Sequence, residues 1–242
     1  MYDLHVHILP GIDDGPRTIE ESLGIARIAF YSGTKVLVAT PHKKDVNELH
    51  SIDKIVSLTK TLNNLLNQKN IKIKLLLGME NHMSLDLVDD YLNGFALTIN
   101  KSRYMLVEMP FFGSDNYVYS VISDLINLGV NPILAHPERI EMFQKDIKTL
   151  NEFLKMGLLT QITAGSINGY FGDIAKDLSL YMLKNNLVNI ISSDSHSAVG
   201  NRSPVLTDCE KFVSKIIGFD KFNELVTYNP LKVIQNKEII SS

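Results

Sequence analysis

The sequence predicts an α/β fold on parallel strands, arranged as a (β/α) barrel related to the eight-stranded TIM design but one unit short, with an open doubly wound sheet as the runner-up. Three observations lead there. Short, mostly apolar runs alternate with amphipathic helical patterns along the chain, and repeated β-α units imply parallel pairing. The runs have the composition of strands covered on both faces. Histidines and acidic residues recur where the runs end, on the face at which a parallel sheet gathers the C-terminal ends of its strands.

Tyr2 to His7 is the first strand, and the amphipathic stretch Ile19 to Tyr31 is the helix that returns the chain before Gly33. Lys35 to Thr40 reads as the second strand and Ile52 to Leu66 as the next helix. Ile73 to Leu77 and Tyr104 to Val107 are further strands, followed by a helix from Tyr117 to Leu128 that Gly129 closes. Pro132 to Ala135 is a strand, and Ile147 to Met156 a helix closed by Gly157. Thr160 to Thr163, a helix from Ile174 to Asn185, and Val188 to Ser192 complete about seven strand units. No internal repeat, low-complexity tract or Pro/Gly linker interrupts this pattern, so residues 1–242 are expected to form one domain.

Composition narrows the function. With 242 residues, 45% hydrophobic and 8% aromatic, the chain can bury one large core. A net charge of −3 without a Lys/Arg-rich run lacks the footprint of a nucleic-acid-binding surface. No apolar stretch reaches membrane-span length, and Met1-Tyr2-Asp3 does not begin a signal peptide, so a cytoplasmic protein with no membrane insertion is expected. Cys209 is the only cysteine, which excludes an internal disulfide and a cysteine zinc cage. Cysteine-dependent phosphatases carry an Arg six positions after the nucleophile; here that position is Lys215, in a helix-like segment, so Cys209 reads as a partly buried helical residue.

Strand geometry then groups the titratable residues. Side chains alternate faces with period two, so His5 and His7 point one way, as do Asp194 and His196. His42 follows the second run, Glu80 the third, Glu108 the fourth and His136 the fifth. Imidazoles and carboxylates without thiolate suit manganese, iron or zinc. Bland readings stand beside this one. His50 and His82 read as hydrogen-bonding residues, with His82 also placed to support Glu80. Asp13 and Asp14 are able to shape a turn with Gly15, and Asp3 to orient a ligand or face the core. Glu138 is placed to pair with an Arg, and Gly165 and Ser166 either bring backbone close to the site or end a strand. Phe111 reads as core, slightly ahead of a pocket wall, and Tyr170-Phe171 fits either reading.

The motifs His5-Val6-His7-Ile8-Leu9-Pro10-Gly11-Ile12-Asp13-Asp14-Gly15, Ala39-Thr40-Pro41-His42, Gly78-Met79-Glu80 and Glu108-Met109-Pro110 occur in order. Ala135-His136-Pro137-Glu138-Arg139, Gln161-Ile162-Thr163-Ala164-Gly165-Ser166 and Ser193-Asp194-Ser195-His196 complete the set. The chain resembles the PHP (polymerase and histidinol phosphatase) superfamily, and within it the metal-dependent protein-tyrosine phosphatases of bacterial capsular and exopolysaccharide synthesis systems. The resemblance implies a distorted (β/α)7 TIM-like barrel with up to three divalent ions, manganese first, held by His5, His7, Asp14, His42, Glu80, Glu108, His136, Asp194 and His196. It leaves Asp13 as a loop residue or as support for a ligand.

The implied reaction is phosphate monoester hydrolysis by metal-activated water, without a covalent enzyme intermediate. Arg139 and Arg202 lie just past His136 and His196, and a guanidinium fork matches phosphate geometry. For Arg139 phosphate binding is favoured over an ion pair; for Arg202 the two are even. The implied partner is the tyrosine-rich tail of a membrane-associated autophosphorylating kinase. A small-molecule phosphatase, such as one for histidinol phosphate, and a non-catalytic regulator that binds the kinase are the competing readings.

Overall fold

The computed structural model describes residues 1–112 and 117–239. Its first half runs β1 (Tyr2–Val6), α1 (Ile19–Tyr31), β2 (Val36–Ala39), α2 (Lys43–Leu49), α3 (Ile52–Gln68), β3 (Lys74–Leu77), β4 (Glu80–His82), α4 (Leu87–Leu92) and β5 (Tyr104–Glu108). Next come α5 (Tyr117–Asn127), β6 (Asn131–Ala135), α6 (Glu141–Lys145), α7 (Ile147–Lys155), β7 (Leu159–Thr163), α8 (Ala164–Ile167), α9 (Asp173–Lys184) and β8 (Ile190–Ser192). Three helices, α10 (Glu210–Ile217), α11 (Phe219–Asn223) and α12 (Asn229–Ile234), close the chain.

Local chemistry sets these boundaries. The side chain of Thr18 accepts from Glu21 N at 3.2 Å while Glu21 Oε2 accepts from Arg17 N at 2.6 Å, so α1 begins where the first turn's donors are satisfied. Ser51 caps α3 through Lys54 N in the same way. Gly129 and Gly157, at φ +79° and +100°, take the left-handed conformation that ends α5 and α7.

Every strand pairing is parallel, and the strands form two sheets, β1-β2-β3 and β4-β5-β6-β7-β8. The third run therefore differs from expectation. It breaks at Gly78-Met79 and restarts, so Glu80 opens β4 instead of trailing the third strand. A Cβ on Gly78 would lie 3.1 Å from Val38 Cγ1, so the chain hugs β2 as it leaves the first sheet. At this edge Glu80 N donates to Pro41 O at 3.1 Å and a parallel bridge joins His42 to Glu80. At the other edge Asp194 N donates to His5 O at 3.0 Å, His7 N to Ser195 O at 2.8 Å, and Val6 bridges Ser195.

Packing follows the strand period. In β6, Leu134 joins the cluster packed beneath α5, α7 and α9, while its neighbour Ile133 faces the other way. There Ile133 belongs to a cluster with Leu4 of β1, Val38 of β2, Leu106 of β5, Leu159 of β7 and Ile190 of β8. A further cluster seals β1 to β3 under α1 and α3. No helix among the described residues is long and apolar enough to cross a membrane.

Asp3 fastens the β1–β8 edge. It is fully buried, and its Oδ1 accepts from His5 N at 3.3 Å and from Ser193 N at 3.1 Å. Burial pushes its carboxyl up to about 6 against those hydrogen bonds. Asp3→Ala is expected to lower unfolding free energy by about 1–3 kcal/mol, because two buried N–H groups lose their acceptor. Asp3→Asn, which keeps an accepting oxygen and drops the charge, should lose less. Urea titration of both variants checks this, and equal stability of Asp3→Ala and the parent would contradict it.

Candidate metal centre

His5 and His7 leave β1 on one side, as the period of two requires, and each ring is turned by a contact at its far nitrogen. His5 Nδ1 donates to Gln161 Oε1 at 2.8 Å, and His7 Nδ1 to Asp13 Oδ2 at 2.7 Å. With Nδ1 committed, both Nε2 lone pairs face inward and come within 3.2 Å of each other. The same Asp13 carboxylate accepts from Gly15 N at 3.1 Å and His42 N at 3.3 Å, so it organises the loop as well as the ring.

Glu80 lies where the rings converge. It is 1% exposed, and its oxygens are 3.3 Å from His5 Nε2, 3.2 Å from His7 Nε2, 3.0 Å from His42 Nδ1 and 3.0 Å from His136 Nε2. Glu108 Oε1 is 3.6 Å from His136 Nε2. On the opposite flank Asp194 Oδ1 lies 3.3 Å from His5 Nε2 and 3.5 Å from His7 Nε2. Asp14 Oδ1 is 3.0 Å from His196 Nε2 and 3.5 Å from His42 Nε2. All nine residues named from the sequence thus meet in one place. Donor atoms of His7, Asp14, His42 and His196, of His5, His7 and Glu80, and of His42, Glu80 and Glu108 cluster within 4.8 Å in each group.

Backbone strain marks the same spot. Among the described residues, most non-glycine residues with positive φ are asparagines at turns, but His136 (φ 36°) and Asp194 (φ 52°) are buried at the ends of β6 and β8. Holding such residues left-handed costs about 1–3 kcal/mol each, and the cost falls on two members of the cluster.

Two guanidiniums border it. Arg139 Nη2 donates to Asp194 Oδ2 and, at 3.1 Å, to Thr163 Oγ1, while its Cζ sits 4.4 Å from the centre of the Phe171 ring. Arg202 donates to Asp14 Oδ2 at 3.2 Å and His196 Nε2 at 2.7 Å. The Nε of each is buried without a partner. Both arginines, with Glu80, Glu108, His136, Phe111 and Phe171, line a cavity of 220 Å³. Phe111 corrects the core reading: its ring stacks on His136 at 5.4 Å and 17° and is 37% exposed at the cavity wall. Phe171 lines the same cavity, close enough to Gly165 that a Cβ there would lie 2.8 Å from the ring, whereas Tyr170 is exposed.

The remaining residues separate cleanly. His50 contacts Lys54 Nζ at 3.0 Å and is not part of the cluster; His82 is exposed, 3.7 Å from Glu108 Oε2. Glu138 accepts from Thr163 N at 3.0 Å and supports β7. Cys209 is buried, donates to Leu206 O at 3.3 Å and is pushed up to about 12 by burial, which removes thiolate chemistry. Gln161 enters the sequence reading only as the first residue of the Gln161-to-Ser166 motif, with no role attached, since a strand glutamine carries no distinguishing signal of its own.

Electrostatics describe a cation site. Burial opposes charge on His7, yet hydrogen bonds to Asp13 and Glu80 push it up to about 9; His42, partly buried, is pushed up to about 11 by Asp14 and Glu80 against its own desolvation. Burial would raise Glu80 and Asp194, but His5 and the neighbouring rings hold Glu80, and Arg139 and His5 hold Asp194, well below the usual carboxylate range. The adjoining His196 and His42 rings do the same for Asp14. The donor set fits divalent ions: imidazole nitrogens and carboxylate oxygens, without thiolate, converge within 4.8 Å, and His136 Nδ1 is buried without a partner.

Comparison with known proteins agrees with this geometry. Residues 1–235 match the family described as "Capsular polysaccharide synthesis, CpsB/CapC". The putative tyrosine-protein phosphatase CapC of Staphylococcus aureus is 34% identical over 197 residues, 81% of this chain and 77% of that one. Tyrosine-protein phosphatase CpsB of Streptococcus pneumoniae is 28% identical over 244 residues, 99% of this chain and 100% of its own length. A crystal structure from work on YwqE of Bacillus subtilis and CpsB of Streptococcus pneumoniae, described as unique metal-dependent tyrosine phosphatases, superposes with a TM-score of 0.94. It is 30% identical and covers 100% of this chain and 97% of that one. The chain belongs to the CpsB/CapC family of capsular polysaccharide synthesis proteins.

Proposed function

We propose that this chain is a metal-dependent protein-tyrosine phosphatase of capsular or exopolysaccharide synthesis, working as one domain over residues 1–242. The observation that carries the reading is the pair of guanidiniums, each with a buried unpartnered Nε, set against the imidazole–carboxylate cluster in one cavity walled by two phenylalanines. The names of the relatives support the same substrate chemistry. A distorted (β/α)7 barrel is the architecture that best explains why inward residues of both sheets share one core and why hydrogen bonds bridge both sheet edges. The proposed setting is the cytoplasm, and the proposed partner is the phosphorylated tyrosine-rich tail of a membrane-associated kinase.

Up to three ions, manganese first, would be held by His5, His7, Asp14, His42, Glu80, Glu108, His136, Asp194 and His196. Divalent ions bound there supply Lewis-acid charge and make water more acidic near phosphorus. Gln161 and Asp13 fix the tautomers that keep the inner nitrogens free. Arg139 and Arg202 orient the phosphoryl oxygens, with Asp194 and Asp14 holding the guanidiniums in place. Phe111 and Phe171 flank the aryl ring. A phenolate with a pKa of about 10 leaves readily, so the chain needs no strong general acid.

Side-by-side assay of a phosphotyrosine peptide and histidinol phosphate tests the reading. The peptide is expected to be the better substrate, and preference for histidinol phosphate would replace the proposal with a small-molecule phosphatase. Arg139→Ala should lower kcat/KM by about 100-fold or more while elemental analysis finds the metal retained. Unchanged efficiency would remove Arg139 from phosphate handling.

Metal removal should leave a pH signature. His7 and His42 carry raised pKa values, so the stability they give the metal-free chain is full below about 6.5 and fades as pH climbs through about 9 and 11. The lowered Glu80 and Asp194 contribute above about 4.5 and lose that contribution on acidification. Chelated protein is therefore expected to weaken between about pH 7 and 10. Manganese should release protons on binding and restore stability there, as pH-stat and urea titrations would record. A chelated chain equally stable across that window would contradict the pairing.

A further inference from the structure

The 220 Å³ cavity matches a phosphorylated aromatic side chain and leaves the rest of a protein substrate outside. Where that remainder runs is legible from the adjoining surface. A second cavity, of 950 Å³, shares Asp14 and Arg202 with the first. Two other cavities, one beside α6, α7 and α9 and one beside α2, α3 and α4, share no residue with it.

The shared groove runs between the β1–α1 loop and the loop after β8, and small residues such as Gly15, Ala198 and Gly200 keep its walls close to backbone. Val199 stands at its rim, 74% exposed. Arg17 lines it too, and its guanidinium has no ion-pair partner among the described residues, unlike Arg139 and Arg202. An apolar side chain in water and an unpaired cation, along a groove that continues from the phosphate-sized cavity, match an extended peptide with an acidic residue.

We propose that this groove seats the polypeptide flanking the phosphotyrosine, with Val199 packing on a neighbouring side chain and Arg17 facing a neighbouring carboxylate. The inference rests on the phosphotyrosine reading above. It makes sequence context, and not the phosphorylated ring alone, part of what the enzyme recognises.

Steady-state kinetics on manganese-loaded protein test it with three substrates: a phosphotyrosine peptide carrying an adjacent Glu, the same peptide with Lys there, and p-nitrophenyl phosphate. Arg17→Glu should lower kcat/KM for the Glu peptide about tenfold, mainly through KM, and raise it for the Lys peptide. Val199→Asp should weaken the Glu peptide in the same way, and both variants should hydrolyse p-nitrophenyl phosphate within about twofold of the parent. Parallel changes on all three substrates, or unchanged peptide kinetics, would overturn the groove assignment. A parent enzyme that cleaves p-nitrophenyl phosphate but neither peptide would overturn the phosphotyrosine reading itself, which separates the two failures.

Discussion

One carboxylate stripped of water among four imidazoles is the constraint around which the molecule is arranged. Glu80 is buried at the point where the chain leaves the three-stranded sheet and opens the five-stranded one. Burying such a group is unfavourable by several kcal/mol unless positive charge surrounds it. His5 and His7 from β1 and its end, His42 from the end of β2 and His136 from the end of β6 provide that surround from three separate segments, so no single segment is able to relax without exposing the others to an unbalanced charge. The junction between sheets and the chemical centre are one feature.

Orientation is enforced from behind the donors. Gln161 and Asp13 each accept one imidazole proton, and that fixes which nitrogen faces the centre. His136 and Asp194 sit in left-handed backbone at strand ends, where an ordinary extended residue would continue the strand. Arg139 is held by Asp194, Thr163 and the Phe171 face together, which suits a group that must meet an anion without swinging away. Gly165 permits the last of these contacts, because any Cβ would strike the ring.

Much of this was legible in the sequence because its signals are periodic. Residues two apart on a strand must share a face, and parallel strands must gather their ends, which groups eight of the nine residues; Asp14, in a loop, is singled out only by the family resemblance. Helix α1 covers the stretch Ile19–Tyr31 that the amphipathic pattern marks out. What escaped had no period to betray it. Gly78-Met79 looks like a strand end, yet the chain re-enters a sheet one residue later. Phe111 reads as core because a Phe beside a strand usually is, and only its stacking on His136 shows otherwise. Helices α2, α4, α6 and α8 span one or two turns, too little for an amphipathic stripe to register.

The seam between β1 and the end of β8 joins segments far apart in the sequence. His5 O accepts from Asp194 N, and His7 N donates to Ser195 O, across nearly the full span of the chain. Such distant partners make folding slow to commit, because the loop between them must be ordered before its ends reward the closure. His5 and His7 therefore have no centre to join until the distant segment that carries Asp194 and His196 has reached them. Closing that seam and completing the imidazole–carboxylate cluster are thus the same event.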